Sequence, residues 1–119
     1  MKTTQKDFVI FQKEVAKWVS ILGLKDWRID LAHESVDDED NRAAIYADQQ
    51  NRAAIIYLYE NWDDEKTTAK VKESAFHEVV ELYLWNLRIL GLRSNEPNIV
   101  DGAIHKVVRM LENVLFPKY

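Results

Sequence analysis

Apolar residues in the first quarter of the chain recur at spacings of three and four. Phe8, Phe11, Val15, Trp18 and Leu22 share one face, which predicts a helix from about Thr4 to Leu22. Thr4 and Asp7 stand at capping distance before it, and Gly23 is placed to end it. The period then changes to two. Trp27, Ile29 and Leu31 alternate with Arg28, Asp30 and Ala32, predicting a half-buried strand that runs to about Glu34. Further strands are expected over about Arg42 to Ala47 and Ala53 to Tyr59, with Asp48-Gln49-Gln50-Asn51 as a hairpin loop between them. Between the first two strands, Asp37-Asp38-Glu39-Asp40 reads as a solvated turn, since four adjacent carboxylates resist burial. A long helix is expected from about Thr67 to Leu90 with Gly91 as its stop. A last helix is expected from near Asn98, with Asp101 at capping-box distance, to about Leu115 before Pro117. The word Asn-Arg-Ala-Ala-Ile occurs at both 41–45 and 51–55. Two copies are too few for a solenoid and read as two similar neighbouring strands, with a shared grip of Arg42 and Arg52 on a substrate carboxylate as the functional alternative.

This order predicts an α+β fold: one helix, a three-stranded mainly antiparallel sheet, then two helices, in a single domain over residues 1–119. The chain has 119 residues, 47% of them hydrophobic, enough to build one core. It contains no cysteine, so any metal must be held by His, Asp or Glu, and a reducing cytoplasm suits it. The first residues carry no apolar segment of signal-peptide form, and the longest apolar run is far below the ~20 residues that span a bilayer. The expectation is therefore a cytoplasmic protein with no membrane partner. A net charge of −4 with scattered basic residues argues against nucleic acid as a partner. Only three glycines are present, which leaves no Gly-rich phosphate loop.

The chemistry concentrates in Phe76-His77-Glu78-Val79-Val80-Glu81, an HExxE segment one residue removed from the helical HExxH of zinc peptidases. On a helix, side chains four apart are neighbours, so His77 and Glu81 can converge on one ion. Glu78 lies about 100° around the helix from His77, where a carboxylate can act as general base on a water. A catalytic zinc site takes three protein ligands, and the only other histidines are His33 and His105. His105, at the margin of the apolar face of the last helix, is the better third ligand. The expected set is His77, Glu81 and His105 around zinc. Fe(II) also suits two histidines and one carboxylate, and manganese is a further option. The plain alternative is an amphipathic helix whose charged face pairs at i,i+3 and i,i+4, with Asp101 a helix cap, His105 a hydrogen-bonded histidine and His33 a surface residue.

Four segments in this order give the chain a likeness to a known family. They are Gly23-Leu24-Lys25-Asp26-Trp27-Arg28-Ile29 after a first helix, Arg52-Ala53-Ala54-Ile55 in a strand, Phe76 to Leu82, and Val107-Val108-Arg109-Met110-Leu111-Glu112 in the closing helix. The chain resembles the small zincin-like metallopeptidase domains of phage and mobile-element proteins. The resemblance implies a zincin fold whose edge strand receives an extended peptide, with His77 a ligand, Glu78 the base and Glu81 where the second histidine belongs. It also implies a peptide or protein as substrate or partner, and the host cytoplasm as the location of a phage-encoded protein. The expected function is metal-dependent, peptidase-like hydrolysis. The alternative is a catalytically inactive zincin-like domain that binds a protein partner without metal.

Overall fold

The computed structural model of the chain describes residues 2–35, 42–63 and 65–116. The acidic segment 37–40 and Pro117 lie outside them. The fold is α+β, with the order α1 (Gln5–Ile21), β1 (Arg28–Glu34), β2 (Ala43–Asp48), β3 (Ala53–Tyr59), α2 (Thr68–Tyr83), α3 (Trp85–Leu92) and α4 (Pro97–Leu115).

Both ends of α1 form as its sequence predicts. The Asp7 amide donates to Thr4 Oγ1, and the Thr4 amide donates to Asp7 Oδ2 at 2.8 Å, a reciprocal capping box. At the other end Gly23 takes φ +72°, and the amides of Gly23 and Leu24 turn back to the carbonyls of Ser20 and Val19. This six-to-one closure requires a left-handed residue, which glycine adopts without penalty. Phe8, Phe11, Val15 and Trp18 are buried on the inward face.

The three strands lie in the order β1-β3-β2, with β1 parallel and β2 antiparallel to β3. The sheet is thus mixed, where the spacing of the strands suggested mainly antiparallel pairing. Composition explains the order. Every residue of β3, Ala53 to Tyr59, is apolar or aromatic, which suits a central strand, whereas Arg28, Asp30, Glu34 and Asp48 put charges on the two outer strands. Ala54, Ile56 and Leu58 face the core, joined by Ala43. The two Asn-Arg-Ala-Ala-Ile words precede antiparallel neighbours, so Arg42 lies beside Tyr59 and Arg52 at the far end of the ladder. Each guanidinium instead stacks over a tryptophan, Arg42 on Trp62 and Arg52 on Trp27, and Arg52 also pairs with Asp26. The two arginines cannot grip one carboxylate together.

The long helix expected to Leu90 is two helices. Leu84 leaves helical geometry at ψ 7°, and its side chain turns into the core. The amide of Leu84 still reaches the Val80 carbonyl and that of Arg88 the Leu84 carbonyl, so the break leaves both of these amides satisfied. Gly91 is not the stop but lies inside α3. A Cβ there would sit 3.3 Å from both γ-carbons of Val100, so the missing side chain is what lets α3 approach α4. Helix α4 begins at Pro97, whose absent amide costs nothing at a first helical position. No side chain caps it, and Asp101 does not serve as the expected cap.

Helix α2 is the centre of the molecule, in contact with α1, β2, α3 and α4. Val71, Ala75, Phe76, Val79 and Val80 on it are fully buried. Among the described residues, no helix is long and apolar enough to cross a membrane.

Asp7 ties α1 to the segment before α2, since its Oδ2 also lies 2.9 Å from Lys66 Nζ. Burial would raise its carboxyl pKa, but the bonds from Lys66 and Thr4 outweigh this and hold it below its ordinary 3.8. Asp7→Asn should cost about 1–2 kcal/mol in urea unfolding at pH 7. Because the folded carboxyl has the lower pKa, this stabilisation is present in full above about pH 4 and fades as pH falls through the folded value. The gap between wild type and variant should therefore close in acid, and a gap independent of pH would show that the charge is irrelevant.

Candidate metal centre

The amino-terminal cap of α2 is Thr67, whose hydroxyl accepts from the Lys70 amide, and its buried apolar face fixes its rotation. That rotation turns Glu78 inward, where the residue is 5% exposed, and leaves His77 and Glu81 at the margin facing α4. Helix α4 brings His105 opposite them, with Val100, Ile104 and Val108 buried as its anchor.

Donor atoms of His77, Glu81 and His105 all lie within 4.8 Å of one another. His77 Nε2 is 3.1 Å from Glu81 Oε2, and His105 Nε2 is 4.0 Å from Glu81 Oε1. The imidazole centroids are 5.4 Å apart. Donors bonded to one tetrahedral ion at 2.0–2.2 Å stand about 3.4 Å from each other. The observed separations bracket that value, so the donor set fits one small cation after side-chain movements of about 1 Å. His77, Glu81 and His105 were all singled out by the sequence, and the fold brings all three together.

Two further residues complete the cluster. Arg88, from α3, places one guanidinium nitrogen 3.0 Å from Glu81 Oε1 and another 3.1 Å from Asp101 Oδ1. Asp101, one helical turn before His105, has Oδ2 3.2 Å and its backbone carbonyl 2.9 Å from His105 Nδ1. Arg88 falls on the charged side of the long helix expected to Leu90, and Asp101 was expected only as a cap. Asp101 and His105 at i,i+4 on one helix was the signal available for that pair. Arg88 stands seven residues after Glu81, on the same side of the expected helix but beyond the i,i+3 and i,i+4 neighbours.

The remaining histidine is elsewhere. His33 is half-buried on β1, with Nε2 2.7 Å from Thr3 Oγ1 and its ring stacked on Phe8, so it lies apart from the cluster and is not a plain surface residue.

The charges of Glu78 and Glu81 are treated differently. Both oxygens of Glu81 have cationic or imidazole partners. Oε2 of Glu78 is buried without one. Burial first, and the negative charge of Glu81 second, push the Glu78 carboxyl up to about 8. At His77, burial opposes ionisation, but the hydrogen bond to Glu81 and the charges of Glu78, Glu81 and Glu112 raise the pKa above its ordinary value. A carboxylate only accepts, so the His77–Glu81 contact places a proton on Nε2, which a metal would have to displace. The cluster lines a cleft of about 380 Å³ whose other wall is Ala43, Ala44 and Ile45 of β2, with Trp85 at one side.

Comparison with protein-family models, with curated proteins and with solved structures gives no match to this chain.

The contrast between the carboxylates has a consequence for the metal-free protein. Glu81→Gln should lower stability by about 1–3 kcal/mol, because it strips the half-buried Arg88 of a charged partner. Glu78→Gln should cost nothing at pH 7, since it swaps a desolvated acid for a neutral group of the same shape. Thermal unfolding of both variants in the presence of a chelator checks this, and an equal loss in the two would contradict the distinction.

Proposed function

We propose that this chain is a zincin-like, metal-dependent hydrolase of a peptide or related amide bond, with His77, Glu81 and His105 as metal ligands and Glu78 as general base. The observation that carries this reading is the convergence of two imidazoles and one carboxylate, from two helices, on one ion-sized space beside a buried carboxyl. A zinc ion held there would polarise the scissile carbonyl and activate water. Glu78 lines the same cleft, and in its ionised form, which a neighbouring cation would favour over the protonated one, its carboxylate would take the proton and pass it to the departing amine nitrogen. Fe(II) and manganese suit the same donors.

The wall opposite the ligands supports a peptide as substrate. Strand β2 is an edge of the sheet. The bond from the Tyr59 amide to the Arg42 carbonyl fixes the alternation of the ladder, so the backbone groups of Ala43 and Ile45 point away from β3 toward the open edge. An extended segment can add there as a further strand.

A second reading is favoured by Arg88, which satisfies Glu81 without any metal. In it the chain is a catalytically inactive zincin-like domain that binds a protein partner. Elemental analysis after exposure to zinc, iron or manganese and dialysis separates the two. The first reading expects close to one ion per chain, lost in His77→Ala. It also expects Glu78→Gln to keep the ion while cleavage of a random peptide library falls roughly 10²–10⁴-fold. No retained ion under any loading would leave the second reading standing.

A further inference from the structure

Of the three groups that would touch a metal, two are held by residues that would not. We propose that Arg88 and Asp101 are positioning residues of the candidate centre: Arg88 fixes Glu81 by one oxygen, Asp101 sets the ring of His105, and the guanidinium joins the two. The proposal rests on the metal-centre reading above.

The hydrogen bonds give each step. A backbone carbonyl can only accept, so the 2.9 Å contact of His105 Nδ1 with the Asp101 carbonyl places the ring proton on Nδ1. The Asp101 carboxylate, 3.2 Å away, holds the same tautomer. In the neutral ring this leaves the lone pair on Nε2, the nitrogen turned toward Glu81. A carboxylate behind a ligating histidine is a recurring way to fix ring orientation and raise donor strength. Asp101 is 52% exposed and would be a loose partner alone, but its other oxygen is tied to Arg88.

Two of the three guanidinium nitrogens of Arg88 are bound to carboxylates, while Nε is buried without a partner. Its side chain is 16% exposed and the guanidinium lies over the Trp85 ring, 5.9 Å from its centroid. It occupies Glu81 Oε1 and leaves Oε2 to the side of His77, so the carboxylate offers one oxygen to an ion. The positive charge also offsets the extra negative charge that Glu81 brings to a position where HExxH has a neutral imidazole. Lysine could supply that charge but not the planar fork that spans two carboxylates.

The test is zinc affinity measured by competition with a chromophoric chelator, with the visible spectrum of the cobalt(II) form as a second readout. It compares wild type with Asp101→Ala, Arg88→Met and Arg88→Lys, and uses Asp30→Ala on the outer face of the sheet as control. Temperatures are kept where circular dichroism shows every variant folded. Asp101→Ala and Arg88→Met should each bind zinc about 10–100-fold more weakly and change the cobalt absorption, with Asp30→Ala unchanged. Arg88→Lys should resemble Arg88→Met. If wild type binds one ion and the variants bind it equally well or better, with the same cobalt spectrum, the positioning role is wrong while the centre stands. Arg88→Lys behaving as wild type would reduce Arg88 to a charge and overturn the bridge. A wild type that binds no ion would overturn both the centre and the proposal.

Discussion

Helix α2 has almost no solvent side, and that constraint organises the rest of the molecule. Val71, Ala75, Phe76, Val79 and Val80 are removed from water by α1, the sheet and α4. Phe76 and each of the three valines contribute about 1.5–3 kcal/mol when buried. The rotation of the helix is therefore set by apolar packing, and its polar residues must accept the places left over. Glu78 falls on the buried side and goes without a partner at one oxygen. His77 and Glu81 fall at the seam with α4, where a second helix can supply partners.

At that seam, groups of opposite character alternate: His77, Glu81, Arg88, Asp101, His105. Each interior member touches the next within 3.2 Å. Such a chain has little need to rearrange around an added cation, since only the gap between the two imidazoles and Glu81 has to close. The burial that makes Glu78 hard to ionise extends to the Arg88–Glu81 pair, both largely removed from water, and strengthens that contact. The buried carboxyl of Glu78 and the His77–Glu81 edge of the cluster thus have one origin in the packing of α2.

Much of the framework was legible in the sequence because local physics writes it there. The i,i+3 and i,i+4 stripe of α1, its Thr4–Asp7 box and its Gly23 terminus depend on neighbours within one turn. β1 announced itself by its period and β3 by its apolar run, but neither by its partner: the place of β3 in the middle follows from the charges of β1 and β2 only once they compete for positions. The break at Leu84 left no mark, as no glycine or proline stands there and the apolar period continues through it. Among the site residues, His77 and Glu81 were readable as helical neighbours, and His105 by the scarcity of histidine. Arg88 shares a helix side with Glu81 at seven residues, but that spacing exceeds the i,i+4 reach by which helical pairs are read. Asp101 was misread because capping spacing and histidine-orienting spacing both occur on the first turns of a helix.

The parallel pairing of β1 with β3 also constrains how the chain assembles. Arg28 finds its place opposite Ala53 and Glu34 opposite Tyr59, so β1 has no sheet neighbour until the whole of β2 and its turn have been made. The β2–β3 hairpin is the local unit, with a short loop to close, and β1 joins it at the greater entropic cost of a long loop. During synthesis α1 and β1 leave the ribosome before α2 and β3, the elements that they pack against in the finished fold.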